Sequence, residues 1–413
     1  MTTTHEAVVA VWQLESARVV SGLLRITRDL QLAEDLAQDA LVAALESWPE
    51  DGIPANPGAW LMTVAKRRAI DTFRRAERHR AQVARLGHDL EEATMNDLVD
   101  QVDHLEDDVL RLMFLTCHPA LTPESRAALT LRLVGGLTTE EIARGFLAKD
   151  TAVGQRISRA KRTLAEAGAT LEMPVGAERT ARLDDVMAVI YLVFNEGYAA
   201  TAGASWMRTD LCLEALRLSR MLVALAPRDA EVHGLQALLE LQASRFHARI
   251  TPSGEPVLLD DQDRARWDHL LIRRGLAALA RAESLGRPVG VYTVQAAIAA
   301  CHARARRAAD TDWVRIAGLY DLLSSAGDNP AVEINRAVAH GRAFGPAAGL
   351  AVLDAVAAEA GSPYLGHQWH AVRGDLLSRS DHPGEAADEF RLAASLTRNE
   401  SERDLLLRRA ELG

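Results

Sequence analysis

Apolar residues return every three or four positions along almost all of this 413-residue chain, while alternating runs rich in Val, Ile and Thr are missing. A helix turns once in about 3.6 residues, so this spacing collects apolar side chains on one face; a half-buried strand needs a period of two. The pattern therefore predicts an all-α protein. It breaks at 49–57, along an acidic stretch, at 173–176 and at 251–256. These breaks divide the chain into 1–86, a linker at 87–105, 106–172 and 180–413.

Residues 135–164, GGLTTEEIARGFLAKDTAVGQRISRAKRTL, read as two short helices joined by a tight turn, a helix-turn-helix. Thr138 or Thr139 is placed to cap the first helix ahead of Glu140, Glu141 and Ile142, because a hydroxyl satisfies orphan amides and acids suit a helix start. Ala143 is small where two helices approach closely. In the second helix Val153, Ile157, Ala160 and Leu164 form an inward stripe, leaving Gln155, Arg156, Arg159 and Arg162 outward, with Lys161 on the same helix. An exposed face of this kind fits the major groove of duplex DNA.

The net charge of −10 argues against general affinity for polyanions unless basic residues are gathered into patches, and they are. Lys66 to Arg85 holds eight basic residues, namely Lys66, Arg67, Arg68, Arg74, Arg75, Arg78, Arg80 and Arg85. Asp89 to Asp108 then holds nine acids and neither Lys nor Arg, a composition that suits a solvated tether keeping two domains apart. Upstream, Leu32, Leu36, Ala40, Ala44 and Leu45 make an apolar stripe, with Asp35, Gln38, Asp39, Val42 and Glu46 opposite. That face is either solvated or offered to a partner. Trp60, Leu61, Val64, Ala65, Ile70 and Phe73 keep helical spacing beside the basic run; Trp60 is either a core residue or a platform on which an unpaired base stacks.

Together, DLAQDALVAALESW at 35–48, GAWLMTVAKRRAIDTFRR at 58–75 and GLTTEEIARGFLAKDTAVGQRISRAKRTL at 136–164 resemble regions 2 and 4 of an extracytoplasmic-function sigma factor, in order and spacing. The resemblance covers about the first 170 residues. It implies that Asp35, Gln38 and Asp39, matching a D-x-x-Q-E motif, grip the clamp of core RNA polymerase. It also implies that Trp60, Lys66, Arg67, Arg74, Arg75 and Arg78 engage the −10 promoter element, and that Thr151, Gln155, Arg156, Arg159, Lys161 and Arg162 read the −35 element. Arg67 and Arg68 stand where the family often has Asn and an apolar residue, Gly154 replaces a usual Lys, and Leu147 replaces the usual turn glycine.

In 180–413, Gly374, Ala386, Phe390 and Ala393 are spaced as in a tetratricopeptide repeat, and Ala215, Leu222 and Pro227 make a partial second match. A sigma factor with such a tail resembles the subgroup whose fused extension regulates activity, and YLVFNEGYAATAG at 191–203 and LLDDQDRARWD at 258–268 resemble that subgroup's stretches. The implied function is promoter-specific initiation with core RNA polymerase, regulated by contact between the tail and the sigma core. The alternative is a helix-turn-helix regulator that binds DNA without polymerase and carries a repeat scaffold for a protein or ligand.

No Walker loop, G-x-S-x-G elbow or H-E-x-x-H pair is present, so neither an enzyme nor a cofactor is expected. The acids Asp260, Asp261, Asp263 and Asp268 lack the Gly and terminal Glu of a calcium loop and suit ion pairs or a helix start. Cys117-His118 and Cys301-His302 are expected as packing residues, since helix neighbours face different ways. Cys117, Cys212 and Cys301 form no C-x-x-C pair. The start MTTTHEAVVAVW lacks a basic n-region followed by an apolar h-region, and the run Val186 to Phe194 is too short to span a bilayer. A soluble, reduced, cytoplasmic protein is expected.

Overall fold

In a computed structural model the chain is described at residues 2–84, 105–146, 148–198, 207, 209–251, 255–285, 290–327, 329–360, 366–397 and 399–412. The acids Asp89 to Asp103, Arg85, Leu147 and positions 199–203 of the first tail motif lie outside the described residues, as do the side chains of Arg78 and Arg80. The fold is all-α; among the described residues the β-pairing is one isolated bridge between Ile250 and Pro256. The chain forms two compact units, Met1–Ile190 and Tyr191–Gly413. The first therefore runs beyond the expected boundary at 180.

The first unit begins with α1 (Thr2–Thr27), α2 (Leu30–Asp51) and α3 (Pro57–Ala84), each packed on the other two. Asp29 caps α2 by accepting from the Leu32 amide at 3.0 Å, and Gly52, at φ 84°, ends it by donating its N–H to the Trp48 carbonyl. The core stripe of α2 is Ala33, Leu36, Ala37, Ala40, Ala44 and Trp48. Leu32 and Leu45, expected on that stripe, lie at its part-exposed margins. One stretch of α1, Ala7–Thr27, is long and apolar enough to cross a membrane by length and composition, but about half of its residues are buried within the unit. Its Val19, Val20 and Leu23 are core residues, and α1 packs on α2, α3 and α4 (Leu105–Thr116).

Next come α5 (Pro123–Leu133), α6 (Thr139–Gly145) and α7 (Asp150–Glu166). Thr122 caps α5 ahead of Pro123, whose missing N–H costs nothing at a first helical position. Thr138 caps α6 reciprocally: the Glu141 amide donates to Thr138 Oγ1 at 3.1 Å, and the Thr138 amide donates to Glu141 Oε2 at 2.7 Å. The buried stripe of α7 is Val153, Ile157, Ala160 and Leu164, as the spacing predicts. The first part of α8 (Gly176–Tyr198) adds to this unit through Leu183, Val186 and Met187, and Arg126 of α5 pairs with its Asp185 at 2.6 Å.

The second unit carries α9 (Thr209–Leu225), α10 (Ala230–Ala243), α11 (His269–Ser284), α12 (Val291–Arg304), α13 (Trp313–Ser325), α14 (Pro330–Phe344), α15 (Pro346–Ala360), α16 (His367–Ser378), α17 (Pro383–Leu396) and α18 (Glu400–Leu412). Each helix packs on the next, and α10 and α14 also reach the next but one, the nearest-neighbour pattern of a helical solenoid. The expected repeat signature forms a contact. A Cβ on Gly374 of α16 would lie 2.9 Å from the Phe390 ring and 3.2 Å from the Ala386 carbonyl of α17, so glycine allows the approach and Phe390 fills the seam. The acidic motif resolves into helix starts and an ion pair. Asp263 caps a 3-10 turn, Asp268 caps α11, and Asp260 pairs with Arg342.

Candidate nucleic-acid interface

Three surfaces of the first unit carry the predicted residues. On α2, Asp35 and Asp39 are exposed and Gln38 is half-buried beside them, because the helix turns its alanines and Leu36 inward. Asp35 accepts from Gln31 Nε2 at 2.8 Å. Asp39 pairs with Arg68 of α3 at 3.3 Å, so the acidic face is tied at one edge to the basic helix.

On α3, Leu61, Ala65 and Ala69 are buried, which turns Arg67, Arg74 and Arg75 to solvent and leaves Lys66 half-buried. Trp60 stands between the two readings of it. Its ring packs edge-on to the buried Trp48 at 5.3 Å while remaining part-exposed. One edge is anchored in the core and surface remains for a partner.

On α7, Thr151, Gln155, Arg159 and Arg162 are exposed and Arg156 is half-exposed. Arg159 donates to the Gln155 carbonyl at 3.3 Å, and Arg162 pairs loosely with Glu166 at 3.6 Å. These contacts lie within one helix at the surface, where ion pairs are worth little. Beneath, Cys117 is enclosed between Thr116 and Thr130; burial pushes its thiol up to about 11 against the lowering effect of the two hydroxyls.

Lys161 differs from its neighbours on α7. It pairs with Glu34 of α2 and donates to Gln31 Oε1 at 2.9 Å, so only 11% of its side chain is exposed. Glu34 is 5% exposed and also accepts from Arg132 of α5 at 2.7 Å. One buried carboxylate thus holds two cations from the helix-turn-helix half. A second buried acid, Asp108 of α4, lies 3.5 Å from Arg25 of α1 and 3.3 Å from Arg111. Sequence reading missed Glu34. Its signal was a charged residue in core register, between Ala33 and Ala37.

Residues 11–79 match the family described as Sigma-70 region 2, and residues 111–164 match Sigma-70, region 4. Residues 182–283 match a family of unknown function, DUF6596. A "Probable ECF RNA polymerase sigma factor SigI" of Mycobacterium tuberculosis is 30% identical over 39% of this chain and 56% of its own length. An "ECF RNA polymerase sigma factor SigK" of Mycobacterium sp. (strain KMS) is 26% identical over 37% and 78%. Residues 11–164 thus carry regions 2 and 4 of an extracytoplasmic-function sigma factor. An uncharacterised protein of Rhizobium meliloti (strain 1021) is similar along the tail as well, at 44% identity over 94% of this chain and 92% of the relative. A tetratricopeptide repeat protein of Parabacteroides merdae is 14% identical, with a TM-score of 0.36 over 66% of this chain and 98% of that one. The helical-repeat description of the tail rests on its own helix pairs.

Proposed function

We propose that this sigma factor binds core RNA polymerase through Asp35, Gln38 and Asp39, engages the −10 element through Trp60, Lys66, Arg67, Arg74, Arg75 and Arg78, and reads the −35 element through Thr151, Gln155, Arg156, Arg159, Lys161 and Arg162. It works in the cytoplasm, as a specificity subunit with no chemistry of its own. The observation that carries this reading is the presence, on one folded unit, of an acidic α2 face beside a basic α3 and a helix-turn-helix whose arginines face outward. The working parts run 1–86 and 106–172, joined by the acidic linker at 87–105. Lys161 reaches a phosphate only after Glu34 releases it. The tail at 180–413 regulates the sigma core by intramolecular contact and is required for activity.

Run-off transcription with core polymerase tests all of this. The full chain should give promoter-dependent transcript, and D35N/D39N should abolish it while leaving the fold intact by circular dichroism. R156A/R159A should weaken −35-dependent initiation by about tenfold or more. DNA binding without polymerase dependence would favour the independent regulator instead. For the tail, a cut at Met173 also removes the α8 residues that pack on α5, so it is compared with a cut after Ile190, where the units divide. Transcript lost with both cuts supports a required tail; unchanged transcript with the Ile190 cut rejects regulation by it.

A further inference from the structure

A cavity of about 890 Å³ opens in the first unit, where the end of α1 and the start of α2 face the last turns of α7 and residues 169–172. Its size lies within the range of about 300–1,000 Å³ in which proteins enclose small molecules. The buried part of its lining is apolar. Leu24 of α1, Leu115 of α4 and Leu164 of α7 are 6%, 5% and 2% exposed, and Leu30 and Leu171 join them half-buried. The expected promoter contacts make use of none of these leucines.

The charged part of the lining is mainly cationic: Arg25, Arg28, Lys161 and Arg162 stand against two acids, Asp29 and Glu172. Three of the cations are engaged. Arg25 lies 3.5 Å from the buried Asp108, Lys161 pairs with Glu34, and Arg162 is loosely held by Glu166 at 3.6 Å. Of the acids, Asp29 is committed to the cap of α2 and Glu172 is exposed. Arg28 differs from the other cations. It is exposed, and its guanidinium has neither a hydrogen bond nor an ion pair among the described residues. It also stands just past α1 at φ 54°, in the left-handed region, with its amide donating to the Leu24 carbonyl at 2.8 Å. Glycine is the usual residue at such a helix end, because a Cβ is disfavoured there. The backbone would be less strained with glycine; the arginine adds a free guanidinium beside the leucines.

We propose that this cavity binds a small amphipathic anion, a carboxylate on an apolar body, with the head on Arg28 and the body against Leu24, Leu115 and Leu164. Apolar walls beside an unpaired cation select both ends of such a molecule: the body leaves water, and the head gains a charge-assisted hydrogen bond. A bare anion forgoes the first gain and an apolar cation the second. Because Lys161 and Arg162 share the wall, an occupant competes with −35 DNA for them, a consequence that rests on the function proposed above. Binding itself does not, and it is read without polymerase or promoter.

The test is isothermal titration of the full-length protein with three probes: decanoate below its micelle concentration, decyltrimethylammonium, which carries the same chain on a cation, and acetate, which carries the head without the body. Wild type is compared with R28G, which also relieves the left-handed backbone, and with the surface control R391Q, whose partner is Asp388 on its own helix. Expected are saturable one-to-one binding of decanoate alone, and about tenfold or greater loss in R28G with no loss in R391Q. No saturable binding of decanoate at millimolar concentration, equal binding of decyltrimethylammonium, or equal binding of decanoate by R28G overturns the proposal. R28G should unfold at or above the wild-type temperature; if it does not fold, a folded R28Q that binds decanoate with unchanged affinity overturns the proposal equally.

Discussion

At the scale of single residues, Glu34 carries more consequence than any residue of the expected contact faces. It sits in the core register of α2 and is compensated by Arg132 and Lys161 from helices far along the chain. Removing one partner of a buried ion pair leaves the others charged and desolvated, a loss of about 3 kcal/mol. Glu34→Gln should therefore lower the unfolding free energy of the first unit by about that amount in urea denaturation, while Asp35→Asn, on the exposed face, should change it little. His302 gives a second residue-scale expectation. Burial and the charges of Arg245, Arg264 and Arg342 push its pKa down to about 3, against 6.5 unperturbed. The unfolded chain therefore takes up the proton first, and the stability contributed by keeping His302 neutral is full above pH 6.5 and declines as pH falls toward 3. Between pH 6.5 and 5 the loss is about 2 kcal/mol, and denaturation of His302→Asn at the two pH values should lack that share of the slope.

At the scale of elements, two glycines in helices have opposite meanings. Gly154 lies within α7, and among the described residues a Cβ there would meet Thr139 Cγ2 at an ordinary 3.8 Å. Gly154→Ala should raise stability by up to about 1 kcal/mol, and Gly154→Lys should steepen the salt dependence of −35 binding by about one counterion. Gly374→Ala meets Phe390 and a backbone carbonyl, so it should destabilise the tail by about 1–3 kcal/mol in thermal unfolding. The cap of α6 and the stripe of α7 were legible in sequence because both depend on spacings of three and four residues within one helix. On α2, Leu36, Ala40 and Ala44 were read correctly as core, while Ala33 and Ala37 carry too little apolar surface to announce themselves and Leu32 and Leu45 lie at the margins.

At the scale of the whole molecule, the three cysteines report on how tightly each unit closes. All are buried; burial raises Cys117 to about 11 and Cys212 to about 12, and lifts Cys301 as well. A thiol reagent at pH 8 should modify none of them in native protein within minutes and all three after denaturation, because the thiolate is the reacting species. Early reaction of Cys117 alone would mean that the first unit opens independently of the second.

The sequence by itself determined the all-α class, the helix-turn-helix with its cap, the acidic and basic faces and the repeat seam at Gly374. Each is set by local periodicity, capping and side-chain size. Only the tertiary structure decided that Lys161 turns from the arginine face to Glu34, that the first half of α8 belongs with the first unit, and that two distant tail stretches meet where Arg245 lies against Tyr198 and Trp267. These are pairings across tens to hundreds of residues, and charge complementarity at such separations is fixed by how helices pack, which no spacing within a helix encodes.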